Sequence, residues 1–90
     1  MKTFQTPISG VVIVETSPLI DRRGSFSRIY CENELSLVIG TRRIVQINHS
    51  VTSRVGAVRG MHYQYPPNAE MKLVSCLKGR VWDVAIDLRA

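Results

Sequence analysis

Alternating apolar and polar positions run through most of the chain and predict β-strands. Ile8–Glu15 is rich in β-branched residues, which pack well on a pleated surface, and Ser17-Pro18 follows it as a turn signal. Asp21–Gly24 has the composition of a second turn. Short strands separated by such turns are typical of a sandwich or jelly roll. We therefore expect an all-β chain, with strands at residues 8–15, 26–30, 43–50, 57–63, 71–77 and 80–88.

One short segment, residues 32–39, departs from this alternation. Leu35, Val38 and Ile39 recur there at helical spacing, and Gly40 follows as a stop signal. We expect one or two helical turns in this segment, in a chain that is otherwise made of strands.

Polar residues share one face of the predicted strand at residues 43–50. Gln46, Asn48 and Ser50 alternate with apolar residues, so they would point to the same side of a sheet. Such a face is either exposed to solvent or lines a polar cavity. The pattern by itself favours exposure, because antiparallel sheets commonly face water on one side.

The dipeptide Lys78-Gly79 lies between the last two predicted strands and suits a two-residue hairpin turn. The register that this turn would set puts Lys72 and Asp83 on one face as diagonal neighbours, opposite an almost wholly apolar face. The same pattern arises when one face of a sheet is exposed to solvent and has no function. The register alone favours that simpler interpretation.

A histidine, an arginine and a lysine fall on adjacent predicted strands around the Pro66-Pro67 loop. His62 is suited to taking a proton near neutral pH, and Lys72 can stabilise an enolate as it forms. Arg59 can bind a phosphate through paired donors. Together the three groups suit proton abstraction next to a carbonyl. A lone histidine in a strand is, however, more often a packing residue, so the spacing alone leaves both interpretations open.

The chain is basic, with 90 residues and a formal net charge of +5. Its arginines are scattered and no RNA-binding motif accompanies them, so we expect no nucleic-acid partner. A solvated surface explains most of them, and a phosphorylated small molecule explains a few. The length predicts a single small domain over residues 1–90.

The cellular compartment is inferred from apolar runs and cysteines. The longest apolar run, Val11–Val14, is far too short to cross a bilayer, and no signal peptide is recognisable. We therefore expect a cytoplasmic protein without a membrane partner. Cys31 and Cys76 lie far apart, and we expect two buried thiols in a reducing cytoplasm, with a single disulfide as the alternative.

Three groups of motifs agree in order along the chain. The first is Asp21-x-Arg23-Gly24-x-Phe26, and the second is Gln46-x-Asn48-x-Ser50. The third begins at Arg59 and runs RGMHYQ-x-PP-x-x-E-x-KLV-x-C-x-x-G-x-x-x-DV-x-x-DLR. From about Ile8 to its last residue, the chain resembles the dTDP-4-dehydrorhamnose 3,5-epimerase family, whose members act on a nucleotide-linked 4-keto sugar in the dTDP-rhamnose pathway.

The resemblance implies a cupin-type jelly roll, of which this chain would form the N-terminal strands. It also implies a homodimer that acts on a dTDP-linked keto-sugar with no cofactor and no metal. The expectation of no metal agrees with the sequence, because the residue two positions after His62 is Gln64 rather than the second histidine of metal-binding cupins.

The resemblance also implies roles for residues at the matching positions. His62 would be the general base, Lys72 would contact the keto-sugar oxygen, and Asp83 is similar to the acid near that lysine. Arg23 resembles a nucleotide contact reached from the neighbouring subunit. The nucleotide and sugar would otherwise be held by Gln46, Asn48 and Arg59.

The chain departs from the family pattern at three places. Arg28 stands where many members have a glutamate, which bears on fine substrate recognition, and the loop from Asn48 to Arg59 is one residue longer than usual. Beyond the position of Ala90 the family continues into the second half of its jelly roll, with the proton-donating tyrosine and the acid that orients the base. We therefore expect half an active site. The alternative is a shortened, non-catalytic homologue that binds a dTDP-sugar or only self-associates.

Overall fold

A computed structural model describes residues 1–90 and contains four short strands and one helix. The strands form two separate two-stranded antiparallel sheets, β1 with β2 and β3 with β4. The ordered elements are thus strands with one short helix, as the sequence predicts. Their bounds are β1 Lys2–Gln5, β2 Val12–Glu15, β3 Leu19–Asp21, β4 Gly24–Phe26 and α1 Ser36–Ile39.

The first sheet is shifted from its predicted position. Strand β1, which the sequence pattern did not predict, pairs with β2, with Lys2 opposite Glu15. The strand predicted from Ile8 begins only at residue 12, because a local turn precedes it. The Thr6 side-chain oxygen accepts a hydrogen bond from the Ile8 N–H at 3.2 Å and lies 2.7 Å from the Val11 carbonyl oxygen. Such side-chain bonds to the backbone compete with a strand ladder.

The second sheet is a hairpin closed at the predicted turn. Leu19 pairs with Phe26 and Asp21 pairs with Gly24, so Arg22-Arg23 forms the connection. The Asp21 carboxylate accepts the backbone N–H of Arg23 at 2.8 Å, which fixes the turn. Strand β4 therefore ends at Phe26, where the sequence pattern predicted a strand to begin, and residues 27–30 have no strand.

The helical segment forms where the apolar spacing predicts it. The Leu35 N–H donates to the Cys31 carbonyl at 3.0 Å, and α1 follows directly. Leu35 and Ile39, four residues apart, are 1% and 5% exposed. The Gly40 N–H donates to the Ser36 carbonyl at 2.9 Å, and a φ of 63° at this residue ends the helix.

The chain divides into two compact units, which we call the discontinuous unit, Met1–Gly40 with Ser75–Ala90, and the middle unit, Thr41–Val74. All four strands and the helix lie in the discontinuous unit. Within it, Arg89 donates to the Ser9 carbonyl at 2.6 Å, which joins the end of the chain to the loop before β2. The expectation of one domain over residues 1–90 stays a prediction.

The later predicted strands are not formed, which corrects the all-β expectation for this part of the chain. The backbone hydrogen bonds of the middle unit include two turns, from Ala57 to Arg54 and from Asn68 to Tyr65. In the discontinuous unit a bend occurs at Lys78-Gly79, but no ladder forms across it. A strand is stabilised by the pairing of its N–H and C=O groups with a neighbour, and no such neighbour is present. The segments concerned are 43–50, 57–63, 71–77 and 80–88.

The buried core is correspondingly small. Leu35 and Ile39 are the buried apolar residues, whereas Trp82 is 92% exposed. Both cysteines are free, with Cys31 half-buried and Cys76 exposed, so the prediction of two buried thiols is wrong for Cys76. No helix of the structure combines the length and apolar character that crossing a bilayer requires.

Candidate functional site

The predicted site residues divide between the two units. Arg23 and Asp83 belong to the discontinuous unit. The predicted neighbour relation between Asp83 and Lys72 crosses the two units and stays a prediction. The remaining five belong to the middle unit: Gln46, Asn48, Arg59, His62 and Lys72.

Arg59 is held by two hydroxyl groups. One terminal nitrogen of its guanidinium donates to Ser50 Oγ at 3.1 Å, and the other donates to Thr52 Oγ1 at 3.2 Å. A guanidinium has five N–H donors, so three remain for another acceptor. Both partners are neutral, and the positive charge of Arg59 is therefore not compensated by them.

Lys72 has an acidic neighbour that the sequence reasoning did not assign. Its Nζ lies 3.6 Å from Glu70 Oε1, and the two side chains are 48% and 43% exposed. Exposed pairs of this kind contribute little to stability, and the ammonium stays accessible to a ligand. The sequence signal was present, because residues two apart on an extended segment face the same side.

His62 is exposed and is followed by a pair of tyrosines. The Tyr63 hydroxyl donates to the Tyr65 hydroxyl at 2.8 Å, and the rings meet edge to face with centroids 5.1 Å apart. This hydrogen bond raises the pKa of Tyr63, because ionisation would remove its donor. Tyr63 is thereby a poorer proton donor than an unbonded tyrosine.

Gln46 and Asn48 are both exposed. The polar face on which they were predicted to lie is not formed, because residues 43–50 have no partner strand. The two side-chain amides have donors and acceptors suited to a nucleotide or sugar. No other side chain of the structure holds either amide in a cavity.

Arg23 is tied to its own turn. Its Nε and a terminal nitrogen donate to Asp21 Oδ2 at 3.2 and 2.7 Å. The side-chain hydrogen bond from Arg23, aided by the one from its backbone, lowers the pKa of Asp21. Arg23 is exposed, so its remaining guanidinium donors are accessible to solvent.

Arg28, which departs from the family pattern, has a carboxylate partner. It donates to Glu34 Oε2 at 2.8 Å, and the Met1 ammonium donates to Glu34 Oε1 at 3.0 Å. These contacts, with Arg28 first, lower the pKa of Glu34 to about 2. The three charged groups border a cavity of about 350 Å³ that Leu19 and Phe26 also line.

Asp83 is exposed, whereas the nearby Asp87 is paired. Arg89 donates to both carboxylate oxygens of Asp87, at 2.8 and 3.0 Å. The side-chain bond from Arg89 is the main cause that lowers the pKa of Asp87 to about 2. No group of three or more His, Cys, Asp or Glu side chains is arranged to hold a metal ion.

Comparison with known proteins gives one consistent result. The family model for dTDP-4-dehydrorhamnose 3,5-epimerase matches residues 5–90, slightly more than the range in which the motifs were recognised. The curated protein of that name from Shigella flexneri is 39% identical over 90 residues, which cover 99% of this chain and 49% of the relative. No solved structure matches the chain.

Two further relatives agree. The dTDP-4-dehydrorhamnose 3,5-epimerase of Salmonella typhimurium is 40% identical, with 99% of this chain and 49% of the relative covered. A dTDP-4-dehydrorhamnose 3-epimerase of Streptomyces niveus is 39% identical, and the match covers 91% of this chain and 40% of the relative. The chain thus spans about half the length of the curated relatives that it matches. Because the family model covers nearly the whole chain, the chain belongs to the dTDP-4-dehydrorhamnose 3,5-epimerase family.

Proposed function

We propose that this chain provides the N-terminal half of an epimerase site that abstracts protons next to the ketone of a dTDP-linked 4-keto sugar. The observation that carries the proposal is that three motif residues lie in the same compact unit. We assign His62 as the base, Lys72 as the cationic electrophile and Arg59 as the anion anchor. All three side chains are exposed and accessible to a ligand.

The chemistry follows from these residue types. His62 takes a proton from the carbon next to the ketone, and the electrons of the broken C–H bond move to the ketone oxygen as an enolate. The Lys72 ammonium stabilises that oxygen, with Asp83 as the acid beside the lysine. Inversion then requires a proton delivered to the opposite face of the same carbon. In this proposal that acid belongs to the second half of the family's fold.

Ligand binding is assigned to the polar residues of the same motifs. Arg59 contacts the diphosphate through its three remaining donors. Gln46 and Asn48 contact the nucleotide and sugar. Arg23 reaches the nucleotide of a neighbouring subunit, and its exposure on the β3–β4 turn supports that role. No cofactor, metal, nucleic acid or membrane takes part.

The proposed complete fold is a cupin-type jelly roll in a cytoplasmic homodimer. A two-stranded sheet is marginally stable alone, and two such sheets are present here. Large apolar side chains such as Trp82 and Leu88 are exposed at 92% and 69%. Additional strands that pair with residues 43–88 would cover these side chains and would bring the motif residues to one cavity.

A second candidate is a non-catalytic homologue that binds a dTDP-sugar or only associates with itself. The small buried core favours this candidate for the 90-residue chain on its own. Binding and assembly need fewer positioned groups than inversion does.

The two candidates are separated by solvent deuterium uptake and calorimetry with the 90-residue chain. The epimerase half-site predicts slow deuterium uptake next to the ketone, which His62→Ala abolishes. The binding candidate predicts heat on titration with dTDP but no uptake. Absence of both would reject the epimerase half-site and the binding module, and would leave self-association.

A further inference from the structure

We propose that Ser50 and Thr52 are positioning residues that fix the Arg59 guanidinium for a diphosphate group. This inference rests on the proposed function, in which Arg59 is the diphosphate anchor. Neither hydroxyl needs to touch the ligand. Their role is to hold a long, flexible side chain in one orientation before the ligand arrives.

The first supporting observation is the geometry of attachment. The two terminal nitrogens of Arg59 are bonded to two different residues, at 3.1 Å to Ser50 and 3.2 Å to Thr52. One hydrogen bond would leave a planar guanidinium free to rotate about that contact. Two bonds from opposite ends of the group fix its position and its plane.

The second observation is the charge of the partners. Arg23, Arg28 and Arg89 are each paired with a carboxylate, at 2.7, 2.8 and 2.8 Å. Arg59 is held by neutral hydroxyls instead. A carboxylate would compete with an anionic ligand, whereas a hydroxyl orients the group and leaves its charge available. Arg59 is therefore oriented without being neutralised.

The third observation concerns the donors that remain. Two of five N–H groups are used, which leaves three for phosphate oxygens. Because Ser50 and Thr52 accept from Arg59, each hydroxyl keeps its own hydrogen. A diphosphate has several acceptor oxygens, and charge-assisted bonds to it are stronger than the neutral bonds to the hydroxyls.

The test compares variants by calorimetric titration of the 90-residue chain with dTDP and with inorganic pyrophosphate. Ser50→Ala and Thr52→Val should each weaken binding about fivefold, the equivalent of one ordinary hydrogen bond. Thr52→Ser keeps the hydroxyl and should restore near-normal affinity. Ser53→Ala removes a neighbouring hydroxyl that makes no bond to Arg59, and it should have no effect.

A double-mutant cycle separates positioning from direct contact. Arg59→Ala should weaken binding about a hundredfold, as expected for loss of bonds to a charged group. If the hydroxyls act through Arg59, their removal in the Arg59→Ala background adds nothing. An additional fivefold loss in that background would overturn the proposal and make the hydroxyls direct ligands. Unchanged affinity in Ser50→Ala/Thr52→Val, with Arg59→Ala impaired, would overturn it as well.

A second readout needs no ligand. NMR relaxation of the Arg59 Nε–H should show an ordered side chain in the wild type and a mobile one in Ser50→Ala/Thr52→Val. The Arg23 Nε–H, which is bonded to Asp21, should be unaffected. Equal Arg59 mobility in both proteins would reject the positioning role. Failure of the wild type to bind dTDP would instead reject the proposed function, while the NMR result still decides this inference.

Discussion

In the two units of the chain, cationic side chains have different partners. In the discontinuous unit, Arg23, Arg28 and Arg89 each have a carboxylate within 2.8 Å. In the middle unit, Arg59 is bonded to neutral hydroxyls, and Lys72 forms a longer ion pair, 3.6 Å from Glu70 Oε1. Compensated cations stabilise local structure, whereas uncompensated cations are available to an anionic ligand. The uncompensated charge of Arg59 agrees with the proposal that this residue binds an anionic ligand.

The same two units differ in backbone order. The discontinuous unit has all the hydrogen-bonded strands and the helix, and the middle unit has none. Functional residues commonly lie on segments that a rigid scaffold positions. In the proposed fold, paired strands would supply that scaffold for the middle unit.

The largest expected effect is on catalysis. We expect the 90-residue chain to give no measurable inversion of a dTDP-linked 4-keto sugar. In the proposed function, the acid that orients His62 belongs to the second half of the family's fold, and loss of a group that fixes an imidazole costs about four orders of magnitude in the serine-protease case. Slow deuterium uptake next to the ketone is the most activity expected, as followed by mass spectrometry.

His62→Ala should abolish that uptake, and Gln64→Ala should leave it measurable as a matched change in the same motif. Efficient turnover to the epimerised sugar by the purified chain would contradict the prediction. It would require Tyr63 or Tyr65 to supply the second proton.

The next effect is on assembly. Five large apolar side chains within residues 81–88 are more than 50% exposed, and the short sheets have unpaired edges. We expect self-association at micromolar concentration, measured by light scattering. Trp82→Glu should reduce it more than Leu37→Glu, because Leu37 is on α1 outside that apolar run. A folded monomer at the same concentration would refute the prediction.

The local features of the fold were predictable from sequence because neighbouring residues determine them. The Asp21–Gly24 turn is closed by a side chain two residues from its partner. Leu35 at the N-cap of α1 and Ile39 in its last turn are buried one turn apart, and Gly40 ends the helix. In each case the interacting groups lie within a few positions of one another.

Strand pairing was not predictable in the same way, because it depends on a distant partner. Alternation over residues 43–50 and 80–88 is real, but no ladder forms there. The contacts within the candidate site were also not predictable from the sequence pattern. Motif positions predicted His62 and Arg59 as site residues, whereas the contacts of Arg59 with Ser50 and Thr52 follow from the fold of the intervening loop.

A smaller effect concerns acid stability of the discontinuous unit. Glu34 has a folded pKa of about 2, below the ordinary value of 4.5, because Arg28 and the Met1 ammonium stabilise its charge. A depressed carboxyl pKa gives stability that is present above pH 4.5 and is lost as the pH falls toward 2. We expect urea-unfolding midpoints to fall across this window, and Glu34→Gln to make the fall shallower.

The comparison with Glu34→Gln is needed because Asp87 also has a pKa of about 2. Its titration contributes to the acid response of both proteins, so only their difference reports Glu34. Identical pH profiles for the wild type and Glu34→Gln would show that the contact with Arg28 contributes nothing to stability. Addition of salt should reduce the difference, because Arg28 and Glu34 are exposed.

The smallest expected effect is at the tyrosine pair of the middle unit. The bond from Tyr63 to Tyr65 raises the pKa of Tyr63, so Tyr65→Phe should return it toward the ordinary value of about 10. Ultraviolet absorbance of the phenolate during alkaline titration measures this change, with Tyr30→Phe as the control. Because a raised pKa makes Tyr63 a weaker acid, Tyr63→Phe should leave deuterium uptake unchanged. A large loss of uptake in Tyr63→Phe, with binding of dTDP intact, would instead make this tyrosine part of the proton-transfer chemistry and would extend the site beyond His62 and Lys72.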